Sequence, residues 1–119
     1  MNANKGFQRA KRLLKPDEFT WVFASKCYHR GRFFLFYARP NDLPYPRLGL
    51  VAGKRQIHLA VQRNFIRRHL REFFRLHQAN LPTLDFIIRV NRVVLYGDIT
   101  QVRQELLRSF ELTRQCHKF

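Results

Sequence analysis

Between residues 60 and 78 arginine recurs at the spacing of one helix face, the pattern of a surface built to hold anions. At about 100° per residue, Arg63, Arg67, Arg71 and Arg75 fall on a band drifting by about 40° per step, with Asn64 and Arg68 inside or beside it. Ile66, Leu70, Phe73 and Phe74 lie opposite and would bury against a sheet, while Phe65 falls at the edge of the apolar arc. Only Glu72 offsets the charge. Like charges four residues apart destabilise an isolated helix by about 0.2–0.5 kcal/mol per pair, and a merely solvated face normally mixes signs at that spacing. The pattern therefore predicts a bound anion. Arginine suits phosphate, because its planar fork binds two oxygens at once and stacks on bases. Asn64 can donate and accept hydrogen bonds to a base, a 2′-hydroxyl or a phosphate.

The whole chain carries the same bias. Its 119 residues hold 23 Lys and Arg against 8 Asp and Glu, a net charge of +15. Residues 1–75 contain 17 of those cations and 4 of the acids, and Arg outnumbers Lys 17 to 6. A polyanion is the expected partner, RNA above all. The length suits one compact core, and 45% hydrophobic content argues against a disordered chain. Residues 1–119 read as a single RNA-binding domain with a basic arm over about 1–15, where Lys5, Arg9, Lys11, Arg12 and Lys15 occur without an acid. The arm lacks serine and no apolar core follows it, so it does not read as a targeting segment. No apolar run approaches the roughly 18 residues that cross a bilayer. Two cysteines, Cys27 and Cys116, are expected to be free thiols in a reducing, cytoplasmic setting.

Elements to position the arginine face follow from composition. Pro16, with Asp17 and Glu18 in the first turn and Phe19, Val22 and Phe23 at i, i+3, i+4, predicts a short amphipathic helix over 16–24. Residues 32–38 (RFFLFYA) and 47–52 (RLGLVA) read as strands, with a short extended piece at 28–30. Gly53 breaks the second strand, and Lys54 to Leu59 form a basic connector into the main helix, 60–78, which Asn80 and Pro82 end. A further strand spans 85–90. Asp98 and Gln101 make a capping-box-like start to a last helix with Ile99, Val102, Leu106 and Phe110 on its apolar face. The order α-β-β-α-β-α predicts an α/β (α+β) sandwich, a small mixed sheet carrying about three helices.

Read in order, residues 60–75 (AVQRNFIRRHLREFFR) resemble the signature helix of the bacterial ribonuclease P protein component family. The matching features are Arg63-Asn64, Arg67-Arg68, Arg71-Glu72 and Phe74-Arg75. Arg12-Leu13-Leu14, the Phe19 and Val22-Phe23 helix, Pro46-Arg47-Leu48-Gly49-Leu50, Lys54-Arg55, Leu81-Pro82 and Asp85-Phe86 extend the similarity over residues 12–90. It departs at Phe65, where the family usually has a third basic residue; the residues alone leave open whether Phe65 packs at the helix edge or stacks on a base.

The resemblance implies a protein subunit that binds a large catalytic RNA and the precursor tRNA whose 5′ leader is removed. Hydrolysis would use Mg2+ held mainly by the RNA, with no catalytic protein residue and no structural metal. RNA-binding residues would be Arg12, Lys54, Arg55, Arg63, Asn64, Arg67, Arg68, Arg71 and Arg75. Phe19, Phe23 and Phe36 would line a cleft for the single-stranded leader between sheet and first helix. The resemblance also implies a left-handed β-α-β crossover. From the residues themselves, Phe34 and Phe36 form one aromatic strand face that could stack bases or pack in the core.

Other chemistries fit less well. A metal-dependent nuclease gathers carboxylates, whereas Asp17, Glu18, Glu72 and Asp98 are scattered. Cys27 with His29, and Cys116 with His117, lack zinc-ligand spacing, and His58, His69 and His77 have no partner at nucleophile spacing. A structural RNA-binding protein without a processing role matches charge, size and aromatics equally; only the ordered motif argues against it. A membrane-surface protein would need an apolar face beside its cations, and the main helix uses that face for packing.

Overall fold

A computed structural model of the chain describes residues 11–12 and 15–114. Most of the predicted basic arm lies outside the described residues. The elements are α1 (Pro16–Phe23), β1 (Tyr28–Arg30), β2 (Phe34–Pro40), β3 (Arg47–Val51), α2 (Ala60–His77), β4 (Leu84–Val90) and α3 (Ile99–Thr113), with 3-10 turns at Gln78–Asn80 and Tyr96–Asp98. The sheet has the order β1-β2-β4-β3. β4 pairs antiparallel with β2 and parallel with β3, so the sheet is mixed and β3-α2-β4 is the one parallel crossover among the described elements.

Helices cover both faces, and the strand sequences follow from that. On one face α2 and α3 bury Ile66, Leu70, Phe73, Phe74, Val102, Leu106 and Phe110 against Phe34, Phe36, Phe86 and Ile88. On the other, α1 sets Val22 on Ile87, with Phe19, Phe23, Tyr37 and Val51 around them. β4 is therefore apolar on both sides, as a central strand should be. Its two charged residues are Asp85, which is buried, and Arg89, which is exposed.

Several boundaries move for local reasons. α2 ends at His77 and the chain tightens into the 3-10 turn Gln78–Asn80 before Pro82. β2 begins at Phe34 rather than Arg32 because the backbone ahead of it is engaged elsewhere. Asp98 does not cap α3: its Oδ2 accepts from Leu95 N–H at 2.9 Å, closing the preceding 3-10 turn, and Gln101 Oε1 accepts from Arg32 Nη1 at 3.0 Å. The capping-box expectation is thus corrected.

The acid that holds the β1–β2 hairpin to α3 is Glu105. Its carboxylate accepts from the backbone N–H groups of Arg32, Phe33 and Phe34 at 2.9–3.1 Å. A Cβ added at Gly31 would collide with that carboxylate, so glycine lets the chain approach it closely. Hydrogen bonds to a charged group contribute about 1.5–3 kcal/mol each, less where water reaches them. Glu105→Ala should therefore cost about 2–3 kcal/mol and shift the urea midpoint down; an unchanged midpoint would contradict this role.

Candidate nucleic-acid interface

Packing the apolar face of α2 on the sheet turns its arginines outward. Asn64, Arg67, Arg68, Arg71, Glu72 and Arg75 line one depression of about 360 Å3, joined by Arg12 from the N-terminal segment. Arg12 is carried there because its backbone bridges Leu48 of β3 in parallel. Glu72 is taken by Arg75, with Nη2 to Oε2 at 2.5 Å. Among the described residues Arg67, Arg68 and Arg71 form no ion pair. Burial, then the neighbouring Arg12 and Arg67, push the Arg71 pKa below its ordinary value. The depression is therefore strongly cationic and suits an anion.

Three predicted RNA contacts lie apart from it. Arg63 turns toward the β3–α2 connector, its Nη1 donating to the carbonyls of Ile57 at 2.8 Å and His58 at 2.9 Å, so it fixes that loop. Lys54 and Arg55 are exposed in the turn of the same connector. Arg67 Nη2 lies 3.5 Å from the carbonyl of Ala52, where β3 hands over to the loop.

A second surface lies between α1 and the sheet. Phe19 and Phe23 are half-buried with centroids 6.3 Å apart, Phe23 meets Tyr37 edge-on at 5.0 Å, and Tyr37 stacks with Tyr28 at 5.8 Å. Register puts Arg30, Leu35, Arg89 and Val51 in one row on this face, with Arg30 and Arg89 exposed. The result is an aromatic cleft edged by cations. Phe36 does not belong to it, which corrects the expectation. It is 0% exposed on the opposite face, edge-on to Phe110 at 4.9 Å and Phe86 at 6.3 Å. Phe34 is buried there too. One residue along a strand reverses the face, so Tyr37 supplies the ring that Phe36 was expected to supply. Tyr37, Arg30 and Arg89 were missed; the sole signal for them was the parity of β2 and β4.

α1 is held over the sheet by Arg47. Its guanidinium reaches Glu18 of α1 at 2.7 Å and both carboxylate oxygens of Asp85 on β4 at 2.8 and 2.7 Å. The two carboxylates raise the Arg47 pKa further above its already high value. Glu18 Oε1 also accepts from the backbone of Lys15, closing the helix start. Phe65 packs at the edge of α2, 4.5 Å from His69 and 5.7 Å from Tyr96. Cys27 is half-buried against the core and is not a free thiol, against the expectation; Cys116 and His117 lie outside the described residues. Among the described residues no group of three His, Cys, Asp or Glu is placed to hold a metal ion, and no helix is long and apolar enough to cross a membrane.

A family model for ribonuclease P matches residues 7–114. The chain belongs to the ribonuclease P protein family. The ribonuclease P protein component of Methylococcus capsulatus (strain Bath) is 42% identical over 117 residues, 93% of this chain and 88% of that one. That of Chromobacterium violaceum is 48% identical over 83 residues, 70% of this chain and 69% of its own. Among solved structures, the Staphylococcus aureus RNase P protein superposes with TM-score 0.77 at 24% identity, over 88% of this chain and 96% of that one. The Thermotoga maritima RNase P protein gives 0.70 at 27% identity, over 83% and 94%. As a ribonuclease P protein the chain is a subunit of an endoribonuclease and works with an RNA partner. Membership sets aside the reading of a structural RNA-binding protein without a processing role.

Losing one partner of a partly buried ion triad leaves a charge without compensation. Arg47→Ala should lower stability by about 2–4 kcal/mol in urea unfolding, with Asp85 left buried and α1 loosened from the sheet. A change below about 0.5 kcal/mol, the usual size of a surface substitution, would show that α1 is held by its apolar side chains alone.

Proposed function

We propose that the protein binds the catalytic RNA of ribonuclease P through the α2 depression and receives the single-stranded 5′ leader of precursor tRNA in the α1 cleft. The observation that carries this reading is the contrast between the two surfaces. The depression is cationic and suits ribose-phosphate chains; the cleft pairs flat rings with cations at its edge and suits unstacked bases. They meet at the end of β3, where Val51 packs in the cleft and Arg67 reaches the next carbonyl, that of Ala52.

Protein side chains supply no acid, base or nucleophile in this reading. Six of the eight carboxylates are engaged in structure: Glu18 and Asp85 with Arg47, Glu72 with Arg75, Asp98 with Leu95 N–H, Glu105 with the hairpin and Glu111 with Arg114. Mg2+ held mainly by the RNA would supply the hydrolytic chemistry. The protein neutralises phosphates that would otherwise repel one another and need more metal ion to screen them. Its working place in this reading is the cytoplasm.

The test is cleavage of precursor tRNA by the cognate catalytic RNA at low Mg2+, with and without the protein. The protein should restore cleavage there. Phe23→Ala should weaken leader-bearing substrate by roughly 5- to 150-fold, the effect of one to three kcal/mol of base stacking, and leave mature tRNA unaffected. If the wild-type protein changes neither rate nor substrate affinity, the reading fails.

A further inference from the structure

Helix α2 carries a second stripe beside the arginine depression. Val61, Phe65 and His69 follow one another at four-residue spacing, next to Arg68 around the helix. Phe65 stands where the family resemblance places a cation. It is half-buried, with its ring 5.7 Å from that of Tyr96, a residue 84% exposed; Val61 is 71% exposed. A tyrosine presented this openly contributes little to the core. Its backbone is nevertheless fixed, because Leu95 N–H donates to Asp98 Oδ2 and Asp98 N–H to the Leu95 carbonyl, both at 2.9 Å. Stacking that ring on a ligand therefore costs side-chain freedom but no further ordering of the backbone.

The surroundings select the ligand. His69, with its ring 4.5 Å from Phe65, has its pKa lowered by burial and by the charges of Arg103 and Arg68, which favours the neutral imidazole. Arg103 belongs to α3 and Arg68 to α2, so cations approach the uncharged rings from two elements. Flat apolar surface edged by arginine matches a base and its phosphates. The chain's +15 charge and the adjoining depression favour RNA over a protein partner.

We propose that Tyr96, Phe65 and His69 form a stacking platform for an unpaired base of the RNA that the α2 depression holds, with Arg68 and Arg103 neutralising the flanking phosphates. This rests on the reading of α2 as an RNA-binding surface. The stripe then replaces one phosphate contact by one stacked base: the affinity gained there is insensitive to salt, unlike that of a cation.

The test is equilibrium binding of the full-length protein to the cognate catalytic RNA across a salt series. Tyr96→Ala should weaken binding by roughly 5- to 150-fold at every salt concentration while leaving the slope of log affinity against log salt unchanged. Tyr96→Phe should bind like wild type, and Phe65→Arg should steepen the slope by about 0.7–0.9 unit, one new phosphate contact. An unchanged affinity for Tyr96→Ala, with its urea midpoint also unchanged, would overturn the platform. So would an equal loss in Tyr96→Phe, which would assign the contact to the hydroxyl. Absence of salt-dependent binding by the wild-type protein would instead overturn the RNA-binding reading of α2 itself.

Discussion

Burial of Ile66, Leu70, Phe73 and Phe74 against the sheet and α3 holds in place a helix whose other face repels itself. Fully burying a large apolar side chain contributes about 1.5–3 kcal/mol, so these four supply up to roughly 6–12 kcal/mol. Each like-charge pair at i, i+4 opposes the helix by only about 0.2–0.5 kcal/mol. Packing wins by a wide margin, which is why Arg67, Arg68 and Arg71 can stand together without acid partners. A helix stabilised mainly by its own surface pairs could not display them. The cost of assembling the cations is met at folding, and an RNA meets a preformed surface.

The same economy of acids organises the rest of the fold. With eight Asp and Glu in the chain, those that are buried or half-buried act as struts. Asp85 and Glu18 hold Arg47 between α1 and β4, which ties the aromatic surface of α1 to the sheet. Glu105 gathers three backbone donors and ties the hairpin edge of the sheet to α3. Spending acids on joints between elements leaves the RNA-facing surface of α2 almost wholly cationic. Fold stability and function thus draw on opposite ends of the charge distribution.

How much of this was legible in the residues depended on periodicity. The arginine face of α2 and its apolar opposite were readable because 18 residues of helix repeat the pattern often enough to define both faces. The strands were readable as strands but not as faces. β2 carries aromatics at 34, 36 and 37, so either parity could turn to the core, and only pairing with β4 sets Phe36 inward and Tyr37 toward α1. Arg63 belongs to the arginine pattern yet turns to the connector, because its place at the margin of the band lies within reach of the Ile57 and His58 carbonyls. The roles of Asp85 and Glu105 depend on partners 38 and about 72 residues away along the chain, separations that no local pattern encodes. Asp98 was misassigned for the opposite reason, since a nearer donor, Leu95 N–H, competes for its carboxylate.

The central claim is that the unpaired guanidinium groups of α2 exist to neutralise phosphate. The most direct measurement is the salt dependence of binding to the catalytic RNA for wild type and Arg67→Ala. The account predicts a wild-type affinity that falls linearly with log salt, and a slope shallower by about 0.7–0.9 unit when the Arg67 charge is removed. Identical slopes and affinities for the two proteins would contradict it, because a cation that touches no phosphate releases no counterion.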